Sequence, residues 1–551
     1  MPGGSCQMLH ERRMYMRTWG FNVNKNSALW KCFSRNTADT RCMRNTANFY
    51  IRNVMTGLRK SPEERTHTET EVLHEVFTGI QKANTLAVER YRKNLRKLRL
   101  AGGMKSAVVC SCLKLKQFSY PTRTNWFLSY EVLDAVFKVT GHPVYCRMDS
   151  QVNQNAIRKT VKAWKSYFKA VRDYAAHPEK YQAKPRIPGY IRTTGATAWW
   201  TNQTAKLRFR DGKAYLRFVN EKQPFCLGKA SLFEGFTYVK TEVQPFHGHF
   251  RVLVTFDDRL KEASVPEHPE RILGVDIGLT NLLSAAGNFG DAPFVVGGGP
   301  VKALNQWFNK RKAELLAALT RGSDSKHSHK ESHALDALSR KRDDAMTDIF
   351  YKCAWYLLRY AKKNQVDVIV IGYNKAQKQD ISIGKQNNQA FVSVPYGKLR
   401  QCIRTVATKL QVPVVEQEES YTSKASLLDL DEIPVYKKGQ KTGAFSGSRI
   451  RRGLYRSADG TVLNADVNGA GNILRKRYPE AFDGMDLSYL WKTTKAVQIK
   501  DWYQKGEKKN GNRRHKASGA SKAHHEQRKR VRREYLKLFG KSKKKRQPEA
   551  A

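Results

Sequence analysis

Cysteine is sparse and scattered along this chain. Its nine cysteines (Cys6, Cys32, Cys42, Cys110, Cys112, Cys146, Cys226, Cys353, Cys402) fit no disulfide framework, and the only close pair, Cys110 and Cys112, is a C-x-C without zinc-site spacing. Reduced thiols in a cytosolic compartment follow. Acid is the second shortage: 49 Asp+Glu stand against 100 Lys+Arg, a formal net charge of +51. So large an imbalance repels itself unless a polyanion is bound, and because Lys and Arg recur in every segment the partner is long and touched over most of the molecule. Long apolar runs are missing too. No stretch of about 18 residues could span a bilayer, and the start carries no signal-peptide pattern. The reading is a soluble intracellular chain with no membrane partner.

What is present suffices for several cores. At 551 residues, 40% hydrophobic and 11% aromatic, the chain is expected to be a multidomain globular α+β protein. The first fifty-odd residues show no clear period, and NTANFYIRNVM reads as a strand or a short helix. Helical patterning runs from about Glu69 to Leu100 and again from Gln151 to Ala176. In the second stretch Ile157, Val161, Trp164, Phe168, Val171 and Ala175 build one apolar face. Arg158, Lys159, Lys162, Lys165, Lys169 and Arg172 fill much of the rest. A solvated face would explain one such helix elsewhere; in a chain this basic, Arg158, Lys162, Lys165, Lys169 and Arg172 read as nucleic-acid contacts.

Three prolines between His177 and Ile191 break that helix, and the period then changes to two. KLRFRDGKAYLRFV is a hairpin with an Asp211-Gly212 type I′ turn, and residues from about 190 to 262 form a small antiparallel barrel or sandwich, an OB-like barrel being one solution. From Arg271 the pattern is α/β: ILGVDIG and LLSAAG pair as strands, helices cover about 301–320 and 333–363, and VDVIVIG and VPVVEQE are buried parallel strands. The intervening His327, His329 and His333 have no neighbour that completes a ligand set and read as a polar loop. The final fifty-one residues hold 18 Lys+Arg and 5 Asp+Glu, with RKRVRRE and KSKKKRQ as clusters, a tail for phosphate contact or nuclear import whose end, beyond Gly540, is expected to be disordered.

Three strings would bring carboxylates to one crevice: Asp276 in ILGVDIGLTN, Glu418 and Glu419 in VVEQEESYTSKAS, and Asp466 in NADVNGAGNIL. Asp276 ends a strand, where functional crevices of open α/β sheets lie. The end of VDVIVIG, the next place for an acid in a ribonuclease-H-like sheet, is Gly372, which taken alone describes a dead nuclease. The neighbouring strand ends in acids, and adjacent strands lie only about 4.8 Å apart. Glu419 is therefore the first choice and Glu418 the second, with exposed strand-end acids as the plain alternative. Asp466 opens a helix, with Asn468 and Asn472 as helix-start and packing residues. Three such acids hold two Mg²⁺ ions for phosphodiester hydrolysis.

From about Asn45 to Lys476 the chain resembles TnpB, the transposon-encoded RNA-guided DNA endonuclease, in its branch near compact type V CRISPR effectors and Fanzor proteins. The resemblance lies in NFYIRN, QVNQNAIRKTVKAWKSYFKAVRDY, KPRIPGY, GVDIGLTNL, IGYNKAQKQ, GKQNNQAFVSVPYGKL, EESYTSKAS, IRRGLYRSADG and NADVNGAGNI. It implies a split RuvC nuclease domain with Asp276 and Asp466 as metal ligands, and a middle glutamate displaced to EESYTSK, which supports Glu419. It also implies partners: a guide RNA held by a helical recognition domain and a β-barrel wedge, and a double-stranded DNA target read by guide pairing beside a short flanking motif. The implied layout is 1–59 an N-terminal segment joined to the wedge, 60–186 recognition, 187–265 wedge, 266–425 and 456–500 RuvC, 426–455 an insert, and 501–551 the basic tail. The family's two CxxC pairs are missing; the first would fall near Ser426 and Asp429, so no structural zinc is expected and a zinc-free insert replaces the finger.

An RNA-guided, Mg²⁺-dependent endonuclease is thus the leading expectation, with a monomer favoured. A nuclease-dead RNA-guided repressor has Gly372 as its one support. An RNA-independent transposase leaves the barrel and the basic helices unexplained. A bacterial cytoplasm fits the motifs; a nucleus would suit the tail in a eukaryotic source.

Overall fold

The strand Met14–Val23 (β1) opens the described chain and finds its partner far downstream. The computed structural model describes residues 14–101, 113–321, 332–374, 394–435, 444–451 and 453–499. The basic tail, the Cys110–Cys112 pair, His327 and His329, and most of GKQNNQAFVSVPYGKL lie outside the described residues.

Among the described residues four α-helices follow β1: α1 (Trp30–Gly57), α2 (His67–Ala101), α3 (Tyr130–Val139) and α4 (Ser150–Ala176). NTANFYIRNVM, read as a strand or short helix, is the second half of the 28-residue α1. It is helical because the stretch docks on other helices: Met43, Ala47, Tyr50, Ile51 and Val54 pack against Val72, Val76 and Ile80 of α2, Val136 and Phe137 of α3, and Ile157, Val161 and Trp164 of α4. Trp164 is fully buried, and its indole N–H donates to Asn48 Oδ1 at 2.8 Å, so its one polar atom is satisfied. A capping box starts α2, with Glu69 accepting from the Thr66 N–H at 2.9 Å and Thr66 Oγ1 from the Glu69 N–H at 3.2 Å. Arg158, Lys162, Lys165, Lys169 and Arg172 are all exposed on α4. Arg158 lies over the Tyr130 ring at 4.3 Å.

Six strands come next: β2 (Ala198–Thr201), β3 (Ala205–Arg210), β4 (Lys213–Phe218), β5 (Phe225–Lys229), β6 (Thr237–Phe246) and β7 (His249–Lys261). They make two antiparallel sheets, β1-β7-β6-β2 and β3-β4-β5, around one core containing Trp200, Phe218, Val243, Val252, Val254 and Phe256. The Asp211-Gly212 loop between β3 and β4 has φ of 49° and 66°, the left-handed pair that a type I′ turn requires. β1 completes the first sheet, with Trp19 opposite Val254 and Phe21 opposite Val252. The first half of α1 inserts Phe33 into this core, so one helix serves two cores.

The remaining strands are β8 (Ile272–Asp276), β9 (Asn281–Gly287), β10 (Phe294–Gly297), β11 (Val368–Tyr373), β12 (Val414–Glu418), β13 (Ser448–Arg451), β14 (Leu454–Arg456), β15 (Val462–Asn464) and β16 (Lys495–Val497). Between them run α5 (Gly299–Thr320) and α6 (His333–Lys363), close to the limits expected from sequence, and α7 (Tyr396–Leu410) and α8 (Ala465–Arg477). The main sheet has the order β12-β11-β8-β9-β10-β16, with β12, β11 and β8 mutually parallel and β9 antiparallel to both its neighbours. β8 and β11 are buried almost throughout, whereas β12, expected to be a buried strand, is the sheet edge and only half buried. α8 lies directly on β8. A Cβ at Gly274 would sit 2.1 Å from the Ala470 carbonyl oxygen, so only glycine permits the approach.

The insert closes on itself through carboxylates. Asp431 accepts hydrogen bonds from the Ser426 N–H at 2.7 Å, the Ser446 N–H at 3.1 Å and the Ser446 hydroxyl, and Asp429 accepts from the Ala458 N–H at 2.9 Å. These bonds join the 426–431 and 446–458 segments. Removing them with Asp431→Ala leaves the amide of the fully buried Ser426 unpaired, and about 2 kcal/mol of local stability should be lost. Hydrogen exchange across 444–451 should then accelerate while the α1–α4 core keeps its protection, and EDTA should leave the parent protein's exchange pattern there unchanged. Among the described residues no helix is long and apolar enough to cross a membrane.

Candidate active site

Asp276, Glu419 and Asp466 approach one another from three elements. Asp276 ends β8, where the strand leaves its ladder at the Asp276–Ser284 pair. Glu419 follows the last residue of β12, one position past the Tyr373–Glu418 pair. Asp466 is the second residue of α8, whose start is fixed by Asn464: its Oδ1 accepts from the Asp466 and Val467 N–H groups at 2.9 and 3.2 Å. A carboxylate in a helix's first turn is favoured by the helix dipole. One turn on, a Cβ at Gly469 would lie 3.4 Å from Asp276 Oδ2, so the start of α8 faces the end of β8.

Gly372 explains how a displaced acid fits. A Cβ at that position would meet Ile473 Cδ1 at 2.6 Å and Glu419 Oε2 at 2.7 Å. The Glu419 carboxylate therefore occupies the space that a side chain from the end of β11 would need. Glu418 points elsewhere. It is exposed and takes hydrogen bonds from Lys476 Nζ at 2.8 Å and from the Ser420 N–H and hydroxyl at 2.6 and 2.7 Å. Partial burial opposes its charge, yet these donors hold its carboxyl below the usual range.

The neighbouring acids destabilise the charged form of Asp276. Burial, then the charge of Glu419, then that of Asp466 push the Asp276 carboxyl up to about 8, with the Ile277 N–H and Arg449 only partly opposing them. Glu419 is raised as well, by burial and by Glu418, against Arg400 and Lys476. Asp466 is turned to other partners: its Oδ2 accepts from Asn281 Nδ2 at 2.7 Å and its Oδ1 lies 3.7 Å from Arg449. Among the described residues no three His, Cys, Asp or Glu side chains are drawn closely enough together to hold an ion as they stand. The donor set is still of the right kind, all carboxylate oxygen, as hard divalent cations prefer.

A pH effect follows with a definite sign. Because the folded protein keeps Asp276 protonated at pH values where the unfolded chain, near 3.8, has lost the proton, stability falls as pH rises from about 4 towards about 8. Asp276→Asn removes that penalty. In EDTA the variant should melt several degrees above the parent at pH 9 and level with it at pH 4, as read by differential scanning fluorimetry.

Asn468 and Asn472, expected as helix-start and packing residues, lie inside α8, and the start belongs to Asn464. Both are fully buried and bind the segment after Glu419: Asn468 donates to the Ala425 carbonyl at 2.8 Å and accepts from the Leu427 N–H at 2.9 Å, while Asn472 donates to the Thr422 and Ala425 carbonyls at 3.0 and 2.7 Å. Residues that sequence reasoning left without a role are Asn281, Arg449, Arg400 and Lys476. Asn281 stands inside GLTN at the start of β9, but only its hydrogen bond to Asp466, made across 185 residues, reveals its place at the site.

The sequence of residues 249–378 matches the family OrfB_IS605, described as a probable transposase. That stretch includes Asp276 and Gly372 and ends before Glu419 and Asp466. No curated protein matches the chain in sequence. Among solved structures, a Cas12f1–sgRNA–target DNA complex is similar at 12% identity and a TM-score of 0.42, over 84% of this chain and 99% of that one. The mini-RNA-guided endonuclease CRISPR-Cas_phi3 is similar at 10% identity and a TM-score of 0.39, over 86% and 93%. The matched stretch contains Asp276 and covers about a quarter of the chain, and over that part it agrees with the resemblance to TnpB carried by the motifs on both sides.

Proposed function

We propose that this protein is an RNA-guided, Mg²⁺-dependent endonuclease that cuts double-stranded DNA at a single RuvC site formed by Asp276, Glu419 and Asp466. The observation that carries the reading is that Asp276, half-buried at the end of β8, meets the charges of Glu419 and Asp466, an arrangement that is unfavourable without a cation. Asp276, Glu419 and Asp466 would hold the metal, and Mg²⁺ bound there would promote attack by water on the scissile phosphate and stabilise the leaving 3′ oxygen. Asn281 and Arg449 orient Asp466. Gly372 leaves room for the Glu419 carboxylate, which answers the one feature favouring a nuclease-dead repressor.

The net charge of +51 and the exposed basic face of α4, with Arg158, Lys162, Lys165, Lys169 and Arg172, fit a partner made of nucleic acid and support the guide RNA and the target duplex as occupants. Base pairing would supply sequence choice, and the protein would read a short flanking motif. The test is cleavage by the protein purified with its own RNA. A plasmid carrying the sequence complementary to that RNA should be cut in Mg²⁺ and left intact in EDTA. Bound RNA without cutting would favour the repressor, and no specific RNA would sink both readings.

A further inference from the structure

Lys476, near the end of α8, is a buried cation with a full set of partners. Its side chain is only 6% exposed, and its ammonium donates to Glu418 Oε2 at 2.8 Å, to the Ser420 carbonyl at 2.7 Å and to Ser420 Oγ at 2.9 Å. Three acceptors use all three ammonium hydrogens. Ser420 in turn donates through both its N–H and its hydroxyl to Glu418. The residues on either side of Glu419 are thus tied to one buried charge, and the Glu419 carboxylate lies against Gly372 and bears on Asp276. Ten residues earlier on the same helix, about 15 Å along its axis, stands Asp466.

We propose that Lys476 and Glu418 form a positioning pair for Glu419. By fixing residues 418–420 to the helix that carries Asp466, the pair sets where the Glu419 carboxylate stands relative to Asp276 and Asp466, and the lysine charge offsets that of Glu418 beside it. A buried lysine is costly to keep, and a methionine of similar length would pack in the same space without its charge. The pairing also gives Glu418 a role distinct from that of Glu419. This inference rests on Asp276, Glu419 and Asp466 being the metal-holding acids.

The test uses the full chain with its copurified RNA, comparing Lys476→Met, Lys476→Arg and Glu418→Gln. Three quantities are read: the Mg²⁺ concentration for half-maximal cleavage, Mn²⁺ binding without DNA by electron paramagnetic resonance, and target DNA binding in EDTA. Residues that orient metal ligands typically change metal affinity about 10–100-fold. Lys476→Met and Glu418→Gln should therefore shift both metal dependences by about tenfold, Lys476→Arg should stay near the parent, and DNA binding should be unchanged in all three. Parental Mg²⁺ and Mn²⁺ dependence in Lys476→Met overturns the proposal, as does a loss of DNA binding that matches the loss of metal binding. If Lys476→Met fails to fold, Glu418→Gln decides by the same readouts. If the parent itself does not cut DNA, the nuclease reading fails, and the Mn²⁺ titration still decides the positioning pair.

Discussion

Asp276→Ala is expected to lower target cleavage by about 10⁴-fold while leaving RNA and DNA binding within about twofold. A bound metal supplies several kcal/mol of transition-state stabilisation, and each 1.36 kcal/mol is a factor of ten in rate, which gives the size of the first effect. The second half follows from where the charge lies. Asp276 is one acid at the end of β8, whereas nucleic-acid affinity comes from a surplus of Lys and Arg spread along the whole chain. Single-turnover cleavage assays and filter binding in EDTA read the two quantities separately. Loss of binding in step with loss of cleavage would mean that the substitution had damaged the fold and not the site. Because the carboxylate is unfavourable in the metal-free protein, the fold should tolerate its removal well.

Glu419→Ala should cost about 10³-fold in cleavage, the scale of losing one electrostatic group aimed at the reacting centre, while Glu418→Ala should cost far less. The two neighbouring acids have opposite surroundings: Glu419 lies against Gly372 and its charge bears on Asp276, and Glu418 is exposed and bound to Lys476 and Ser420. Gly372→Ala tests the same carboxylate from the other side. The added methyl would stand 2.7 Å from Glu419 Oε2 and 2.6 Å from Ile473 Cδ1, so the carboxylate must move and cleavage should fall even though no acid has been lost. Retained cleavage in Glu419→Ala with loss in Glu418→Ala would exchange their roles.

Elements whose signals are local were legible in the sequence. The β3–β4 hairpin is written in Asp211-Gly212, and α5 and α6 in their period and flanking polar segments. β1 was not legible, because its alternation is weak and the strand that pairs with it begins only at His249. The length of α1 was hidden for a related reason: its two halves bury different faces in two cores, which blurs a single helical stripe. At the site, Asp276 and Asp466 were readable from a strand end and a helix start. The displaced glutamate was named from the acids that end the neighbouring strand and from the resemblance, and the β11–β12 register adds how Glu419 comes beside Gly372. Asn281, Arg449 and Lys476 carry no signature at all, since each acts through a contact made across distant segments. The same is true of the Asp431 clasp, whose bonds join segments fifteen residues apart.

Reprogramming tests the central claim most directly. After the copurified RNA has been sequenced, its guide portion is replaced by an unrelated sequence, and the loaded protein is given, in Mg²⁺, a plasmid library in which the new target stands beside randomised flanks. The account predicts that cutting moves to the new target, occurs only beside a depleted flanking motif, and disappears with Asp276→Ala. Cutting that ignores the new guide, or a library that survives intact while the protein still holds its RNA, would contradict it.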